Sequence, residues 1–270
     1  MPHLSILHTL RESLKFIWCE CGFVGRIIIG PVLIVTAVSF IDHVVAQKAA
    51  RPVLNILMYM VLMFSWVRLA VCCHRFILLA EQPHSFLLAY RWQMRDTWFA
   101  FYGIAIYLFG WCFISMAFVG WSVLSPFLAL LSRWLLVFLF CLGIVGIWLL
   151  FSYLIGRLSL ILPVTAIDQR PAKDWKDWAW NRSEGNEWPL MFLLGINPSL
   201  GGILLDRITD IMIEYANQNS FYLGAPIYGL VWGLYFLAEV FQVAVLSYSL
   251  KTLSTRASAQ RRGAGSAIQG

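Results

Sequence analysis

The chain has 270 residues, of which 60% are hydrophobic and 13% charged, with a formal net charge of +6 and a mean hydropathy of +0.73. A water-soluble domain is about half apolar and about a quarter charged, so this composition excludes an ordinary soluble domain. The apolar excess falls in stretches of roughly 20 residues or more, the length that crosses about 30 Å of hydrocarbon. Period-2 alternation is not evident, which disfavours a β-barrel. The reading is therefore all-α: a polytopic membrane helix bundle with six transmembrane helices plus amphipathic interfacial helices, since helices satisfy every backbone group in lipid.

In chain order, residues 3–20 come first. Leu4, Leu7, Leu10, Leu14, Ile17 and Trp18 recur at helical spacing, with His8, Arg11, Glu12 and Lys15 opposite. This predicts an interfacial amphipathic helix, not a signal peptide, because charges precede any long apolar run and no small-residue cleavage site follows. Six spans follow, at 23–45, 52–79, 98–124, 134–164, 188–205 and 223–250. The second and fourth exceed what a bilayer requires, so they tilt or project. The fifth is short and is interrupted at Asn197-Pro198-Ser199-Leu200-Gly201-Gly202. There Pro198 removes a backbone donor and frees the Leu194 carbonyl, while Gly201 and Gly202 permit close packing. Residues 206–222 predict a short helix on the outer surface, and 171–186 a cytoplasmic segment rich in Trp and Lys. Residues 1–252 form one membrane domain, and 253–270 are expected to be a disordered basic cytoplasmic tail.

Fifteen of the twenty Lys and Arg residues fall on one side of these spans, among them Arg75, Arg95, Arg157, Lys173 and Lys251. Only Lys48, Arg51, Arg133 and Arg207 fall on the other side, with Arg68 inside a helix. By the positive-inside rule the first side is cytoplasmic, and both termini with it. The location expected is a bacterial inner (plasma) membrane. The net positive charge is then a product of topology, so no nucleic-acid partner is expected. The six cysteines form no C-x-x-C pair, which points away from zinc or redox sites. Cys19-x-Cys21 is an interfacial thiol pair, with acylation or metal binding as the rarer alternatives.

A weak internal repeat is visible. Arg68-Leu69, Ala80-Glu81-Gln82-Pro83, Tyr90 and Asp96-Thr97-Trp98 parallel Arg157-Leu158, Ile167-Asp168-Gln169-Arg170-Pro171, Trp180 and Asn186-Glu187-Trp188. Asp96 and Asn186 would cap the following spans. The units run in the same direction, so the repeat is parallel; the competing explanation is that any pair of cytoplasmic loops attracts Trp, Arg and Pro. On His74-Arg75-Phe76-Ile77-Leu78-Leu79-Ala80-Glu81-Gln82-Pro83, and on Arg157-Leu158-Ser159-Leu160-Ile161-Leu162-Pro163 with Ala179-Trp180 and Gly185-Asn186-Glu187-Trp188, the chain resembles a broad group of proteobacterial six-helix inner-membrane proteins. These are loosely similar to the membrane domain attached to some glycerophosphodiester phosphodiesterases. The resemblance implies a six-helix bundle without an assigned reaction. The chain has no segment for the phosphodiesterase domain, so that activity does not carry over.

Four groups of polar or aromatic residues need a reason. Arg68 and Glu239 each lie sixteen residues from the outer end of their helix, so they sit at similar depth, and an intramembrane ion pair between them is expected. The alternative has Arg68 snorkelling and Glu239 protonated or hydrogen-bonded. His74, Arg75 and Glu81, with Arg157, form a polar stripe, read either as an anionic lipid contact or as helix-end anchors. Asn197-Pro198 is a helix break, either passive or part of a substrate site. Trp92, Trp98, Trp175, Trp178, Trp180 and Trp188 form a cytoplasmic aromatic collar suited to anionic phospholipids or to a protein partner.

No nucleophile–base pair, carboxylate pair, phosphate loop or metal cluster stands out, so no cofactor is expected and an enzyme is the weakest reading. The favoured one is a scaffold, assembly factor or accessory subunit of a membrane complex. The alternative is a transporter or lipid-handling protein with a polar site inside the bundle. A continuous polar cavity bounded by Arg68, Asn197 and Glu239 would favour transport.

Overall fold

A computed structural model describes residues 4–45, 51–81, 91–128, 133–167, 175–219 and 221–267, with the side chains of some helix ends and of the middle of the fourth helix outside the description. The described residues are helical with turns between. In order they are α1 (Ile6–Cys19), α2 (Cys21–Val45), α3 (Arg51–Leu79), α4 (Met94–Leu128), α5 (Arg133–Leu158) and α6 (Ile161–Ile167). Then come α7 (Trp175–Ser183), α8 (Glu187–Leu190), a π-helical turn (Met191–Ile196), α9 (Asn197–Asn219) and α10 (Phe221–Ala267).

The best-packed part is made by α1, α2, α3 and α10, with α6 wedged between α3 and α4. Phe16, Phe23 and Phe76 stack at its base, with 4.3 Å between the Phe23 and Phe76 ring centroids. Val35, Val67, Val71, Val240 and Val245 fill the interior. A second contact set joins α5 to α7, α8 and the π turn, and α9 returns along α10.

Five stretches among the described residues are long and apolar enough to cross a membrane: Cys21–Ser39, Ile56–Leu79, Val137–Ile167, Glu187–Glu214 and Pro226–Thr255. The expected span at 98–124 lies within the 35-residue α4, several of whose side chains are outside the description.

Several elements differ from the sequence reading. The span expected at 134–164 is broken at Ser159–Leu160, because Pro163 has no N–H for the Ser159 carbonyl and its ring crowds that oxygen. The helix expected on the outer surface at 206–222 is not separate; α9 runs unbroken through Asp206 to Asn219. Helix α10 continues to Ala267, where disorder was expected. Helix α1 is amphipathic as read, but it turns its small polar residues inward. Thr9 and Ser13 are buried and donate to the Ser5 and Thr9 carbonyls one turn back. Leu7, Leu14 and Trp18 are exposed, the arrangement of a helix whose greasy side meets acyl chains.

Helix α3 ends with Ala80 in the left-handed region at φ 56°. The Ala80 N–H reaches the Phe76 carbonyl at 3.0 Å and the Glu81 N–H that of Arg75 at 3.4 Å. A Cβ there costs about 1 kcal/mol that glycine avoids. Ala80→Gly should therefore raise unfolding stability by about 0.5–1 kcal/mol, measured by denaturant titration in detergent micelles.

Candidate functional site

The polar residues of α3 are disposed along its length, and each has its own partner. Arg68, 3% exposed, donates from Nη1 to Asp96 Oδ2 at 2.6 Å. Its Nη2 lies 4.0 Å from Cys72 Sγ. Asp96 is fully buried, and its Oδ2 also accepts the Gln93 N–H at 2.5 Å. Helix α4 begins at Met94, four residues before the span expected at 98–124. Asp96 is therefore the third helical residue reaching back to the capping position, not the cap itself. The same carboxylate starts α4 and neutralises α3.

The expected pair between Arg68 and Glu239 is not what the helices form. Glu239 Oε2 accepts the Trp66 indole N–H at 2.9 Å, while Arg68 turns to Asp96 on α4. Depth along a helix leaves open which way each side chain points around the helix axis.

One turn and a half further along, His74 is fully buried against Phe99, ring centroids 5.7 Å apart, with Nδ1 2.7 Å from Ser247 Oγ. The Ser247 hydroxyl proton is committed to the Val243 carbonyl at 2.8 Å. The ring therefore donates from Nδ1, and its buried Nε2 has no hydrogen-bond partner among the described residues. Arg75 comes next. Its Nε donates to Glu81 Oε2 at 2.8 Å, a second guanidinium N–H reaches the same carboxylate, and Nη1 donates to the Ala166 carbonyl at 3.3 Å. Arg75 thus caps the C-terminal end of α6. Arg95 lies in the same neighbourhood, its buried Nε without a partner among the described residues. Burial, and then the Arg75 guanidinium, press its pKa down.

Arg157 does not extend this stripe. It is 4% exposed and donates to Ser183 Oγ, the Tyr153 hydroxyl and the Trp180 carbonyl at 2.7, 2.7 and 2.8 Å. Its guanidinium carbon lies 3.5 Å from the Trp180 ring centroid. Two of these hydrogen bonds and the cation–π contact clamp α5 to α7, while Tyr153 braces the guanidinium from one turn back on α5 itself. Asn186 takes the capping position of α8, yet its side chain accepts the Leu4 N–H at 2.6 Å and ties down the N-terminus instead.

The break at Asn197-Pro198 is a widened helix, not an interruption. Met191–Ile196 form a π turn, and the Asn197 N–H bonds to the Phe192 carbonyl. The register shifts where Pro198 offers no N–H. Asn197 Nδ2 is buried without a hydrogen-bond partner among the described residues. The glycines that allow close approach are not Gly201 and Gly202. A Cβ on Gly202 would meet nothing within 4 Å, and one on Gly201 only Gln242 at 4.0 Å. They are Gly156, whose Cβ would lie 2.8 Å from the Leu190 carbonyl oxygen, and Gly195, facing Ser152.

Of the aromatic collar, Trp92 stacks on Phe64 at 5.1 Å and donates to Thr97 Oγ1, and Trp98 packs on the core beside Tyr102. Trp180 covers Arg157, and Trp188 is 74% exposed. Trp175 and Trp178 lie on α7 with side chains outside the described residues.

The sequence reading missed a cavity of about 340 Å³ between α3 and α10, lined by Tyr59, Leu62, Met63, Trp66, Trp232, Tyr235, Phe236 and Glu239. Its only sequence signal was aromatic density at i, i+3, i+4 and i+7 spacings around Glu239. Neither Arg68 nor Asn197 lines it.

The fold and these pairings have the build of a multi-pass helical membrane protein. Comparison of the chain with protein-family models, with curated proteins and with solved structures gives no match in any of the three.

Proposed function

We propose that the protein is a scaffold or accessory subunit of a membrane complex in a bacterial inner membrane. In this reading six helices span, with α4 as the third and both termini in the cytoplasm. The observation that supports it is how the interior polar groups are used. Arg68 pairs with Asp96, Arg75 with Glu81, and Arg157 with Ser183 and Trp180 of α7 and Tyr153 of its own helix. The Arg68 and Arg157 contacts hold elements together, and the cavity at Glu239 is lined by neither Arg68 nor Asn197. Much apolar surface remains on the α4–α5 pair. In Val137–Ile167 only 6% of the most apolar window is buried, against 39% in Ile56–Leu79 and Pro226–Thr255. Phe118, Trp134 and Phe138 are all more than 60% exposed. The occupant we assign to this surface is the helices of a second membrane protein, with lipid covering the remainder.

The similar placement of Arg68 and Arg157, each buried and each followed by a buried Asp96 or Asn186 at a helix start, supports the parallel repeat. It also agrees with kinship to the six-helix proteobacterial group. Arg75, Arg95 and the exposed Trp188 suit anionic phospholipids at the cytoplasmic surface. Photo-crosslinkers at Phe118 and Phe138 test the scaffold reading. Both should trap the same membrane protein in intact cells, and a charged residue at either position should abolish the adduct. Adducts with lipid alone would sink it. A second reading, small-molecule or lipid handling, is favoured by the cavity at Glu239.

A further inference from the structure

The cavity between α3 and α10 has an unusual composition for a membrane interior. Five of its eight lining residues are aromatic, and a single carboxylate, Glu239, stands among them. The polar ends of three rings are tied off. The Trp66 indole donates to Glu239 at 2.9 Å, the Trp232 indole to Ser39 Oγ at 3.0 Å, and the Tyr235 hydroxyl to Asp206 Oδ1 at 2.5 Å. Rings fixed by their edges are held in place as walls, with Trp232 and Tyr235 centroids 5.7 Å apart. At 67% exposure, Tyr59 stands at the open side.

The charge of this cavity is incomplete. A carboxylate at bilayer depth costs about 2.5–3.5 kcal/mol on insertion scales and ordinarily finds a cation. The indole of Trp66 is neutral, and Arg68, two residues on, is committed to Asp96. Among the described residues, none that lines the cavity carries a positive charge. One carboxylate and two phenols are too few oxygens for a calcium or magnesium ion, which takes six or more. Aromatic faces instead attract weakly hydrated organic cations through the ring quadrupole, as in cages that recognise quaternary ammonium groups. A volume of about 340 Å³ lies within the range of small-ligand sites, about 300–1,000 Å³.

We propose that this cavity binds an organic cation, an amine or quaternary ammonium bearing apolar groups, with Glu239 as counterion and Trp66, Trp232, Tyr235 and Tyr59 as the aromatic cage. The cation is either a free amphiphilic amine or the ammonium of a lipid headgroup. The site stands independently of the scaffold reading: a protein without a partner that binds the cation upholds the one and sinks the other.

The test uses the full chain in phosphatidylglycerol nanodiscs, with benzyltrimethylammonium as probe and neopentylbenzene as its uncharged isostere. Calorimetry should show saturable binding at one probe per chain, with the isostere competing at least about tenfold more weakly. Glu239→Gln should weaken binding about tenfold, the loss of one charge partner at about 1.4 kcal/mol per decade. Tyr59→Leu, at an exposed position that the fold does not need, should weaken it about two- to fivefold. In phosphatidylethanolamine discs, a loss of apparent probe affinity identifies the lipid ammonium as occupant, and unchanged affinity identifies a free cation. Absence of saturable binding, equal competition by the isostere, or full affinity in Glu239→Gln overturns the proposal. Should Glu239→Gln fail to fold, the isostere comparison and Tyr59→Leu decide alone.

Discussion

Asp96→Ala is expected to cost about 3–5 kcal/mol of unfolding stability, the range for removing one partner of a buried ion pair. The reason is the guanidinium left behind. Arg68 is 3% exposed and Asp96 fully buried, so no water replaces the carboxylate at 2.6 Å. Part of the loss comes from the start of α4, because the same Oδ2 holds the Gln93 N–H, and a lost helix-start hydrogen bond costs about 0.5–2 kcal/mol. Replacing both charges by apolar groups of similar volume, Arg68→Met with Asp96→Leu, should recover all but the helix-start share. Denaturant unfolding in micelles, followed by helical circular dichroism, measures each variant. The rival pairing is separable in the same experiment. Were Glu239 the counterion, Glu239→Gln would cause the large loss, and that loss would vanish in an Arg68→Met background.

Much of this architecture was legible in the residues, and the failures share a cause. Helices α2 and α3 begin and end within two residues of the apolar runs that announced them, because length against bilayer thickness is a one-dimensional property. Burial of Arg68 was legible for the same reason. Its partner was not: Asp96 as a helix-start residue and Asp96 as a buried counterion have the same sequence signature, and only the packing of α4 on α3 through α6 makes it both. The amphipathic pattern of α1 was read correctly and its inner face was not. Where lipid is the solvent, Leu7, Leu14 and Trp18 gain nothing by turning inward, so Thr9 and Ser13, small and self-satisfied by their own backbone, take the packed side. Arg157 is legible as a helix-end residue, but its contacts with Ser183 and Trp180 depend on α7 folding back onto α5. The cavity at Glu239 is not legible in the sequence, because each aromatic residue lining it is, taken alone, ordinary in a membrane helix.

Gly195→Val should prevent α5 from seating on the π turn, and Gly195→Ala should already cost about 1–3 kcal/mol, the range for overpacking a close contact. A Cβ at Gly195 would lie 2.5 Å from the Ser152 Cβ and 2.6 Å from both its Cα and its carbonyl oxygen. Those are mostly backbone atoms, so no side-chain rotation relieves the clash; the helices must part. Two glycines, one on each element, make this crossing. Gly156 on α5 meets the Leu190 carbonyl, and Gly195 on the π turn meets Ser152 on α5. In lipid such small-residue contacts carry helix association, because burial from water contributes nothing there. The π turn is what places Gly195 at this point. Without the extra residue of the wide turn, the position would rotate by about 100° around the axis, the angular step of one residue at 3.6 per turn. Gly201→Ala and Gly202→Ala, in open surroundings just under two turns further on, should leave stability within about 0.5 kcal/mol of the parent or raise it slightly. Unfolding midpoints of the four variants, compared in one detergent, decide this. A loss at Gly201 or Gly202 as large as that at Gly195 would mean that α9, not the π turn, makes the tight crossing.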